Sequence, residues 1–225
     1  EDYRSVYEVF IKVKPNEIYN LSGQSSVGDS FRLPHETMSS IAIGTTNQLE
    51  AIRFVDKSIR FYNAGSSESF GDTSEISASE STVFRPQSPY AVAKAAATWQ
   101  VSVYRKSYDI FACTGIMFNH ESPLRSEHFV TKKIVSTAQR ITAGSDEKLR
   151  LGNIKIRRDW GWAPEYVEAM WLMMQLDTPD DFVIATGRKE SLKYFVAKSF
   201  EYFDLDWQKY VEIEPSFFRP NEIHS

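Results

Sequence analysis

The fold is read most directly from residues 59–94, IRFYNAGSSESFGDTSEISASESTVFRPQSPYAVAK. A short β-rich run, Ile59 to Asn63, ends in small and polar residues, as a buried strand does. A helical pattern follows from Ala91 to Tyr108, with apolar side chains at helical spacing at Ala95, Trp99 and Val103. A strand followed by a helix indicates one crossover unit of a parallel sheet.

The same alternation continues on both sides of this stretch. Strands are predicted at Glu17 to Leu21 and at Phe111 to Phe118, and a helix is predicted at Ile41 to Phe54. Helices that alternate with short buried strands are typical of an α/β protein with a doubly wound, mostly parallel sheet. We therefore predict this fold class for residues 1–120.

The character of the chain changes after about residue 120, where we predict that residues 121–225 form mainly a smaller lobe, with some segments returning to the first domain. We predict helices at Val130 to Thr142 and Leu192 to Phe203, a strand at Asp181 to Thr186, and an Arg-rich turn in IRRDWGWAP. A further helix, Tyr166 to Gln175, is predicted to bury a stripe that consists of Val167, Met170, Trp171 and Met174.

Composition excludes several classes of protein. The 225 residues are 42% hydrophobic and carry a formal net charge of −4, which excludes a disordered chain and argues against a general binder of nucleic acid or anionic membranes. The single cysteine, Cys113, allows no disulfide within the chain, and no grouping has metal-ligand spacing, so no metal is expected. No signal peptide or long apolar run is present, and the expectation is a soluble, cytoplasmic protein.

The start of the chain departs from the usual nucleotide-binding pattern. A doubly wound nucleotide domain normally opens with a strand and a glycine-rich turn, whereas this chain begins with helix-like residues, Tyr3 to Val13. None of the 10 glycines lies three residues from another. Either the start of the domain is absent from these residues, or the protein does not hold a dinucleotide in the usual way.

Tyr90 and Lys94 form the strongest local signal for chemistry. Their spacing of four places both side chains on one face of the predicted helix. A free tyrosine has a pKa of about 10, so its use as a base near neutral pH requires roughly 4 kcal/mol of stabilisation, which a nearby ammonium helps to supply. The alternative is an ordinary exposed helix pair.

Ser66, Ser67 and Glu68 follow the strand that ends near Asn63, at the sheet edge where open α/β sheets bind ligands. A hydroxyl and a carboxylate beside a Tyr/Lys pair would supply a hydrogen-bond donor and a second acid or base. The alternative is that the two serines cap a turn and that Glu68 is solvated.

These motifs occur together with others in one order: KPNEIYNLSGQSSVG, GTTNQLEAIR, FYNAGSSESFG, FRPQSPYAVAK, GIMFNHESPLR, LGNIKIRRDWGWAPEYVEAMWLMMQ and FFRPNEI. The set resembles the extended short-chain dehydrogenase/reductase superfamily and, within it, the GDP-mannose 4,6-dehydratase family. FNHESP and RRDWG distinguish that family from sugar-nucleotide epimerases. The chain departs from the family pattern at Gly65, where the family usually has serine.

The resemblance implies a Rossmann-type domain that binds NADP and a smaller lobe that binds the sugar nucleotide. It implies the catalytic residues Ser66, Glu68, Tyr90 and Lys94. It implies cofactor contacts from Tyr90, Lys94 and from Leu21, Ser22, Gly23, Gln24, Ser25, His120 and Arg125. It implies substrate contacts from Ser66, Glu68, Tyr90 and from Asn119, Glu121, Lys132, Arg158, Arg219 and Glu222.

The activity implied is conversion of GDP-mannose to GDP-4-dehydro-6-deoxy-D-mannose by internal hydride transfer through NADP. Assembly into a homodimer or homotetramer, through the helices beginning near Ile41 and Tyr90, is also implied. Two alternatives stay open. A related sugar-nucleotide reductase or epimerase needs Tyr90 and Lys94 but not Glu68, and a noncatalytic sugar-nucleotide-binding module would explain the missing glycine-rich turn.

Overall fold

The computed structural model describes residues 2–73 and 76–218. Its α-helices are α1 (Tyr3–Val13), α2 (Val27–Ser30), α3 (Pro34–Met38), α4 (Gly44–Val55), α5 (Pro89–Tyr108), α6 (Val130–Thr142), α7 (Ala163–Met174) and α8 (Leu192–Glu201). Its strands are β1 (Glu17–Asn20), β2 (Arg60–Ser66), β3 (Ala112–Met117), β4 (Asn119–Glu121), β5 (Leu149–Leu151), β6 (Arg157–Trp162), β7 (Phe182–Ile184), β8 (Lys189–Ser191) and β9 (Val211–Ile213). A π-helical turn, Ser39–Ile43, leads from α3 into α4.

The described chain divides into two compact units. The first contains residues 2–118 and 165–184, and the second contains residues 119–164 and 185–218. The segment 165–184, which carries most of α7 and all of β7, returns to the first unit after the chain has passed through the second.

The first unit is built on four parallel strands in the order β1-β2-β3-β7. Its helices lie on both faces of the sheet. One face packs against α1, α4 and α5 through a cluster that includes Phe10, Leu49, Ile52, Phe61, Val101 and Ile110. The opposite face packs against α7 through a cluster that includes Tyr62, Cys113, Tyr166, Met170 and Met174. The prediction of a doubly wound, parallel α/β fold is confirmed.

The prediction of the buried stripe of α7 is right for Met170 and Met174 and wrong for Val167 and Trp171, and α5 likewise exposes two of the apolar residues noted at helical spacing. In α7, Val167 is 57% exposed and Trp171 is 54% exposed, and the buried stripe consists of Tyr166, Met170, Met173 and Met174. In α5, Trp99 and Val103 are exposed, whereas Ala95 is buried together with Ala93, Ala97 and Val101. Each helix has apolar residues on more than one face, so a period of 3.6 residues fits two stripes and cannot choose between them.

Arg105 fastens the far end of α5 to the sheet. Its guanidinium makes two hydrogen bonds to the Asp181 carboxylate, at 2.9 and 2.7 Å, and a third to the Ala112 carbonyl. The same carboxylate accepts a hydrogen bond from the Thr114 backbone at 2.7 Å. This bidentate pair is mostly buried, so it joins α5, β3 and the residue before β7 in one geometry.

The second unit contains a three-stranded sheet, β4-β6-β8, and a two-stranded pair, β5-β9. Its core gathers around α6 and α8 and includes Ile134, Ile141, Leu149, Ile156, Val196 and Phe200. The prediction of a turn at IRRDWGWAP is wrong, because Arg157–Trp162 is strand β6, parallel to β4 and antiparallel to β8. Glycine and charged residues disfavour a strand locally, and pairing on both edges overrides that preference.

None of the helices among residues 2–73 and 76–218 combines the length and the apolar character that crossing a lipid bilayer requires.

Gly115 leaves room for the buried side chain of Tyr62. A Cβ atom at position 115 would overlap the Tyr62 hydroxyl and lie 2.9 Å from the Ile184 side chain, in a region where Tyr62 is fully buried. We therefore expect Gly115→Ala to lower the free energy of unfolding by about 1–3 kcal/mol, the usual cost of overpacking. Chemical denaturation measures this loss.

The matched control is Gly44→Ala. Gly44 is also buried, but it lies in α4 and its Cβ would meet nothing closer than 3.7 Å. Alanine is favoured over glycine inside a helix by roughly 0.5–1 kcal/mol, so this variant should be neutral or more stable. Equal losses in both variants would contradict the packing explanation.

Candidate active site

Strand β2 delivers the predicted serine and glutamate to the carboxyl end of the sheet. Ser66 is the last residue of β2, and a single 3₁₀ turn, Ser67–Phe70, begins after it. The Ser66 hydroxyl caps this turn by accepting a hydrogen bond from the Glu68 backbone N–H at 3.3 Å. Ser66 is buried, whereas Glu68 is half-buried and is the second residue of this 3₁₀ turn.

Helix α5 begins beside this strand end with a complete N-terminal cap. The Ser88 hydroxyl accepts a hydrogen bond from the Ala91 N–H at 3.1 Å, and Pro89 occupies the first helical position. Tyr90 and Lys94 follow within the first two turns. They lie on one face, with the Lys94 Nζ atom 5.8 Å from the centre of the Tyr90 ring.

The Lys94 ammonium is buried inside the first unit. Its Nζ atom donates a hydrogen bond to the main-chain carbonyl of Ala64 at 2.8 Å, and the residue is only 8% exposed. The alternative of an exposed helix pair is therefore wrong for Lys94. Burial lowers the pKa of Lys94 from 10.5 to about 8, because removal from water disfavours the charged form.

This lysine can still act as a cation near neutral pH. A pKa of about 8 leaves roughly nine-tenths of the amine protonated at pH 7. A positive charge beside a phenol favours the phenolate, and low-dielectric surroundings strengthen that effect. The arrangement thus suits Tyr90 to proton transfer, with Ser66 and Glu68 on the neighbouring strand end.

The Leu21–Ser25 segment follows β1 and is pinned to the π-helical turn before α4. Gly23 has a φ of +113°, and a Cβ atom there would lie 2.7 Å from the Ile41 side chain, so only glycine fits. The Gln24 backbone N–H donates to the Ser40 hydroxyl at 3.2 Å. π-helical turns often occur at functional sites, which agrees with the predicted cofactor role of this segment.

The side chain of Gln24 shows how this segment could bind a cofactor. Its side-chain nitrogen donates to the Ser26 carbonyl at 2.7 Å, but its side-chain oxygen is buried and accepts no hydrogen bond from any residue that the structure describes. A buried acceptor of this kind suits a ligand with hydrogen-bond donors, such as the hydroxyl and amide groups of NADP. The residues present therefore fit the cofactor implied by the resemblance.

Gly65 has a local reason for departing from the usual serine. A Cβ atom at this position would lie 2.6 Å from the Thr114 methyl group and 3.0 Å from the Gly115 carbonyl oxygen. The glycine therefore lets β2 and β3 pack closely just before Ser66.

In the second unit, strand β4 carries three of the predicted contacts: Asn119, His120 and Glu121. All three are half-buried. The Glu121 carboxylate accepts a hydrogen bond from the Thr131 hydroxyl at 2.7 Å and pairs with Arg125 at 3.3 Å. Arg125 also stacks on the Phe129 ring at 3.7 Å. These contacts hold Glu121 and Arg125 in defined positions, and their ligand roles remain predictions.

Lys132 and Arg158 also lie in the second unit. Lys132 donates to the Pro123 carbonyl at 3.0 Å, and half-buried Arg158 donates to the Arg157 carbonyl at 2.7 Å. The remaining predicted substrate contacts, Arg219 and Glu222, lie outside the described residues.

Two positions, one in each unit, that fix the local structure next to predicted site residues were not singled out from the sequence. Ala64 acts through its main-chain carbonyl, which no side-chain pattern reveals. Asp159 is 7% exposed, and its carboxylate accepts hydrogen bonds from the Thr186 and Gly187 N–H groups and from the Thr186 hydroxyl at 2.9–3.1 Å. A lone acidic residue inside a strand motif, RRDWG, was the available signal.

Metal chemistry has no candidate site in the described part of the chain. Across residues 2–73 and 76–218, no group of three or more His, Cys, Asp or Glu residues is placed to hold a metal ion.

Comparison with known sequences gives one consistent result. The family model described as GDP-mannose 4,6 dehydratase matches residues 1–225. GDP-mannose 4,6 dehydratase 1 of Arabidopsis thaliana is 49% identical over 215 residues, which cover 94% of this chain and 59% of the plant protein. GDP-mannose 4,6 dehydratase of Homo sapiens is 41% identical over 241 residues, which cover 99% of this chain and 65% of the human protein. The chain thus spans about three fifths of the length of these relatives.

Comparison with solved structures shows the fold. RMD from Pseudomonas aeruginosa, solved in complex with NADPH, has a TM-score of 0.87 at 20% identity and covers 95% of this chain and 72% of its own. UDP-glucose 4-epimerase from Thermus thermophilus, solved with NAD, has a TM-score of 0.84 at 24% identity and covers 99% of this chain and 72% of its own.

Burial of Lys94 has a measurable consequence for stability. The folded protein releases the proton near pH 8, whereas the unfolded chain keeps it until about pH 10.5. Between these values the unfolded state binds more protons, so the Lys94 contribution to stability rises with pH. We expect the free energy of unfolding of the unmutated protein, relative to that of Lys94→Met, to rise by about 3 kcal/mol as the pH increases across this window.

Denaturant titrations at several pH values, without added NADP, measure the difference. Other groups whose pKa values are raised by burial, such as Cys113, titrate in both proteins and cancel in the comparison. A difference that does not change with pH would show that the Lys94 amine is solvated.

Proposed function

Because the chain belongs to the GDP-mannose 4,6-dehydratase family, we propose that the protein converts GDP-D-mannose to GDP-4-dehydro-6-deoxy-D-mannose with the help of bound NADP. The family resemblance that the sequence motifs indicated is confirmed. The activity is a proposal because the relatives that carry this name are longer than the chain.

The main support for the proposal is the placement of the four predicted catalytic residues in the first unit. The buried Lys94 ammonium joins the helix that bears Tyr90 to strand β2, and β2 ends in Ser66 with Glu68 two residues later. Tyr90 and Lys94 alone would suit a simple dehydrogenase. Glu68 adds the second acid/base group that an elimination requires.

In the first stage, the Tyr90 phenolate oxygen takes the proton from the C4 hydroxyl, and the Ser66 hydroxyl donates a hydrogen bond to the same sugar oxygen. The Lys94 charge makes this possible by favouring the phenolate. When bound, NADP supplies a hydride acceptor for C4 and later a hydride donor for C6, so that it ends as it began. The C4 ketone formed in this way acidifies the neighbouring C5–H bond.

In the second stage, the Glu68 carboxylate removes the C5 proton and passes a proton to the C6 hydroxyl, which leaves as water. Tyr90 then returns to C5 the proton that it took from the C4 hydroxyl. The sum of these transfers is the loss of one water from the sugar, with Tyr90 and Glu68 both restored.

We assign cofactor binding to Tyr90, Lys94 and the Leu21–Ser25 segment, together with His120 and Arg125. The buried, unsatisfied oxygen of Gln24 supports the first group. We assign substrate binding to Asn119, Glu121, Lys132 and Arg158, and by resemblance to Arg219 and Glu222. Two phosphates of a nucleoside diphosphate suit guanidinium and ammonium donors in an otherwise acidic protein.

The proposal extends to assembly and compartment. Exposed apolar side chains line α4 and α5 at Phe54, Val92, Trp99 and Val103, which supports self-association into a homodimer or homotetramer. A single buried thiol, Cys113, is compatible with the reducing cytoplasm.

Isotope transfer tests the proposed reaction. GDP-mannose that carries deuterium at C4 should give a product with deuterium at C6, and reduced nicotinamide should not accumulate in proportion to product. Mass spectrometry and absorbance measure the two quantities. Steady growth of reduced nicotinamide would indicate a dehydrogenase, and an inverted C4 centre without loss of water would indicate an epimerase.

The role of Glu68 is tested in the same assay. Glu68→Gln keeps the volume but removes the base, so product formation should fall about a hundredfold or more while substrate affinity stays within several-fold. The control Glu8→Gln changes an exposed carboxylate on α1 that pairs with exposed Arg4, and it should leave turnover unchanged. Turnover of Glu68→Gln within twofold would remove Glu68 from the mechanism.

Arg158 and Arg157 provide a test of phosphate binding within one strand. Arg158 is half-buried, whereas Arg157 is exposed. Loss of a charge-assisted phosphate contact costs about 1.5–3 kcal/mol, so Arg158→Ala should raise the Michaelis constant for GDP-mannose roughly ten- to a hundredfold with little loss of turnover. Arg157→Ala should change neither by much. Equal Michaelis constants in the two variants would show that Arg158 does not contact the substrate phosphates.

A further inference from the structure

We propose that Asn20 is a positioning residue for the cofactor: its side-chain oxygen holds Ser22, and through Ser22 it holds the Leu21–Ser25 segment in the shape that binds NADP. The inference rests on the proposed function, because that function supplies the cofactor. Asn20 itself lies inside the sheet and is 6% exposed, so it acts through Ser22.

The contacts of Asn20 divide between its two side-chain atoms. The Oδ1 atom accepts hydrogen bonds from the Ser22 hydroxyl at 2.6 Å, from the Ser22 N–H at 3.3 Å and from Gln48 at 3.0 Å. The Nδ2 atom donates to the Thr45 hydroxyl oxygen at 3.1 Å and to Asn63 at 3.3 Å. Every hydrogen-bonding position of this amide is therefore used.

The neighbours fix which way the amide points. The Thr45 hydroxyl gives its own hydrogen to the Ile41 carbonyl at 2.7 Å, so towards Asn20 it can only accept. The Ser22 backbone N–H can only donate. Together these two groups place Nδ2 towards α4 and Oδ1 towards the segment that leaves β1.

A second set of side-chain hydrogen bonds extends from Asn20 across the sheet to β2 and β3. Asn63 is paired in register with Asn20, and its amide donates to the Thr114 hydroxyl at 3.4 Å on β3. Asn63 is 2% exposed and is separated from Ser22 by Asn20. It therefore matches Asn20 in residue type, burial and network, but its side chain bonds to Asn20 and Thr114 rather than to the Leu21–Ser25 segment.

This difference separates positioning from stability. Burying an amide in a sheet is costly unless every group is satisfied, and leucine fills a similar volume without that demand. If these hydrogen bonds served stability alone, replacing either asparagine would change only the stability of the protein. Because Asn20 also contacts exposed Ser22, replacing Asn20 should in addition weaken the binding of NADP to the Leu21–Ser25 segment.

The test compares Asn20→Leu with Asn63→Leu in the full-length protein. Calorimetric titration measures the dissociation constant for NADP, and thermal unfolding without NADP measures stability. We expect similar changes in melting temperature, but a rise of about tenfold in the dissociation constant for Asn20→Leu and less than threefold for Asn63→Leu. In Asn63→Leu the amide of Asn20 keeps Thr45 and Ser22, so its orientation is preserved.

Ser22→Ala supplies a second variant should Asn20→Leu fail to fold. Ser22 is exposed, so this variant should keep its melting temperature while it weakens NADP binding several-fold. If Asn20→Leu does fold, adding it to Ser22→Ala should raise the dissociation constant by less than Asn20→Leu raises it alone, because both act through one contact.

Equal effects of Asn20→Leu and Asn63→Leu on NADP binding would overturn the positioning role, and so would an unchanged dissociation constant in Ser22→Ala. Failure of the unmutated full-length protein to bind NADP would instead contradict the proposed function, and the inference would fall with it. The two failures are therefore distinguishable.

Discussion

A hydrogen bond of 2.8 Å joins the Lys94 ammonium to the main-chain carbonyl of Ala64 and holds helix α5 against β2, one of the two inner strands of the first unit's sheet. A buried charge is tolerated only where its donors find acceptors, so the bond restricts how α5 can lie on β2. Tyr90 lies one turn before Lys94, and Ser66 lies two residues after Ala64. Within the first unit, this contact therefore fixes where the start of α5, with Tyr90, lies relative to the end of β2, with Ser66.

The opposite end of α5 is held in a related way. Arg105 binds the Asp181 carboxylate through two nitrogens, and that carboxylate also accepts the Thr114 N–H. A long helix tied near both ends to a buried sheet has little freedom to slide. Because apolar contacts are not directional, these polar contacts select one position among those that would bury similar areas.

Polar side chains within the first sheet have a comparable effect on register. Asn20, Asn63 and Thr114 lie side by side across β1, β2 and β3, and their hydrogen bonds are satisfied only in the observed pairing. In the second unit, a buried polar side chain on β6 has a similar effect. Arg157 is exposed and Arg158 is half-buried, whereas buried Asp159 accepts hydrogen bonds from Thr186 and so holds the strand against the turn at Thr186.

The alternation of strands and helices, the parallel α/β class and the family follow from the sequence, because β-rich runs, helical periodicity and motif order are local properties. Helices α1 and α6 have the predicted bounds for the same reason. The sequence also placed Tyr90 and Lys94 at the start of a helix and Ser66 and Glu68 at the carboxyl end of a strand, although Ser66 is the last residue of β2 rather than a residue that follows it. It did not show which apolar stripe of α7 is buried, that RRDWG forms a strand, or that Lys94 meets Ala64. Those outcomes depend on partners distant in the chain, since a helix with two apolar faces, a strand with charged residues and a buried ammonium are each decided by what packs against them.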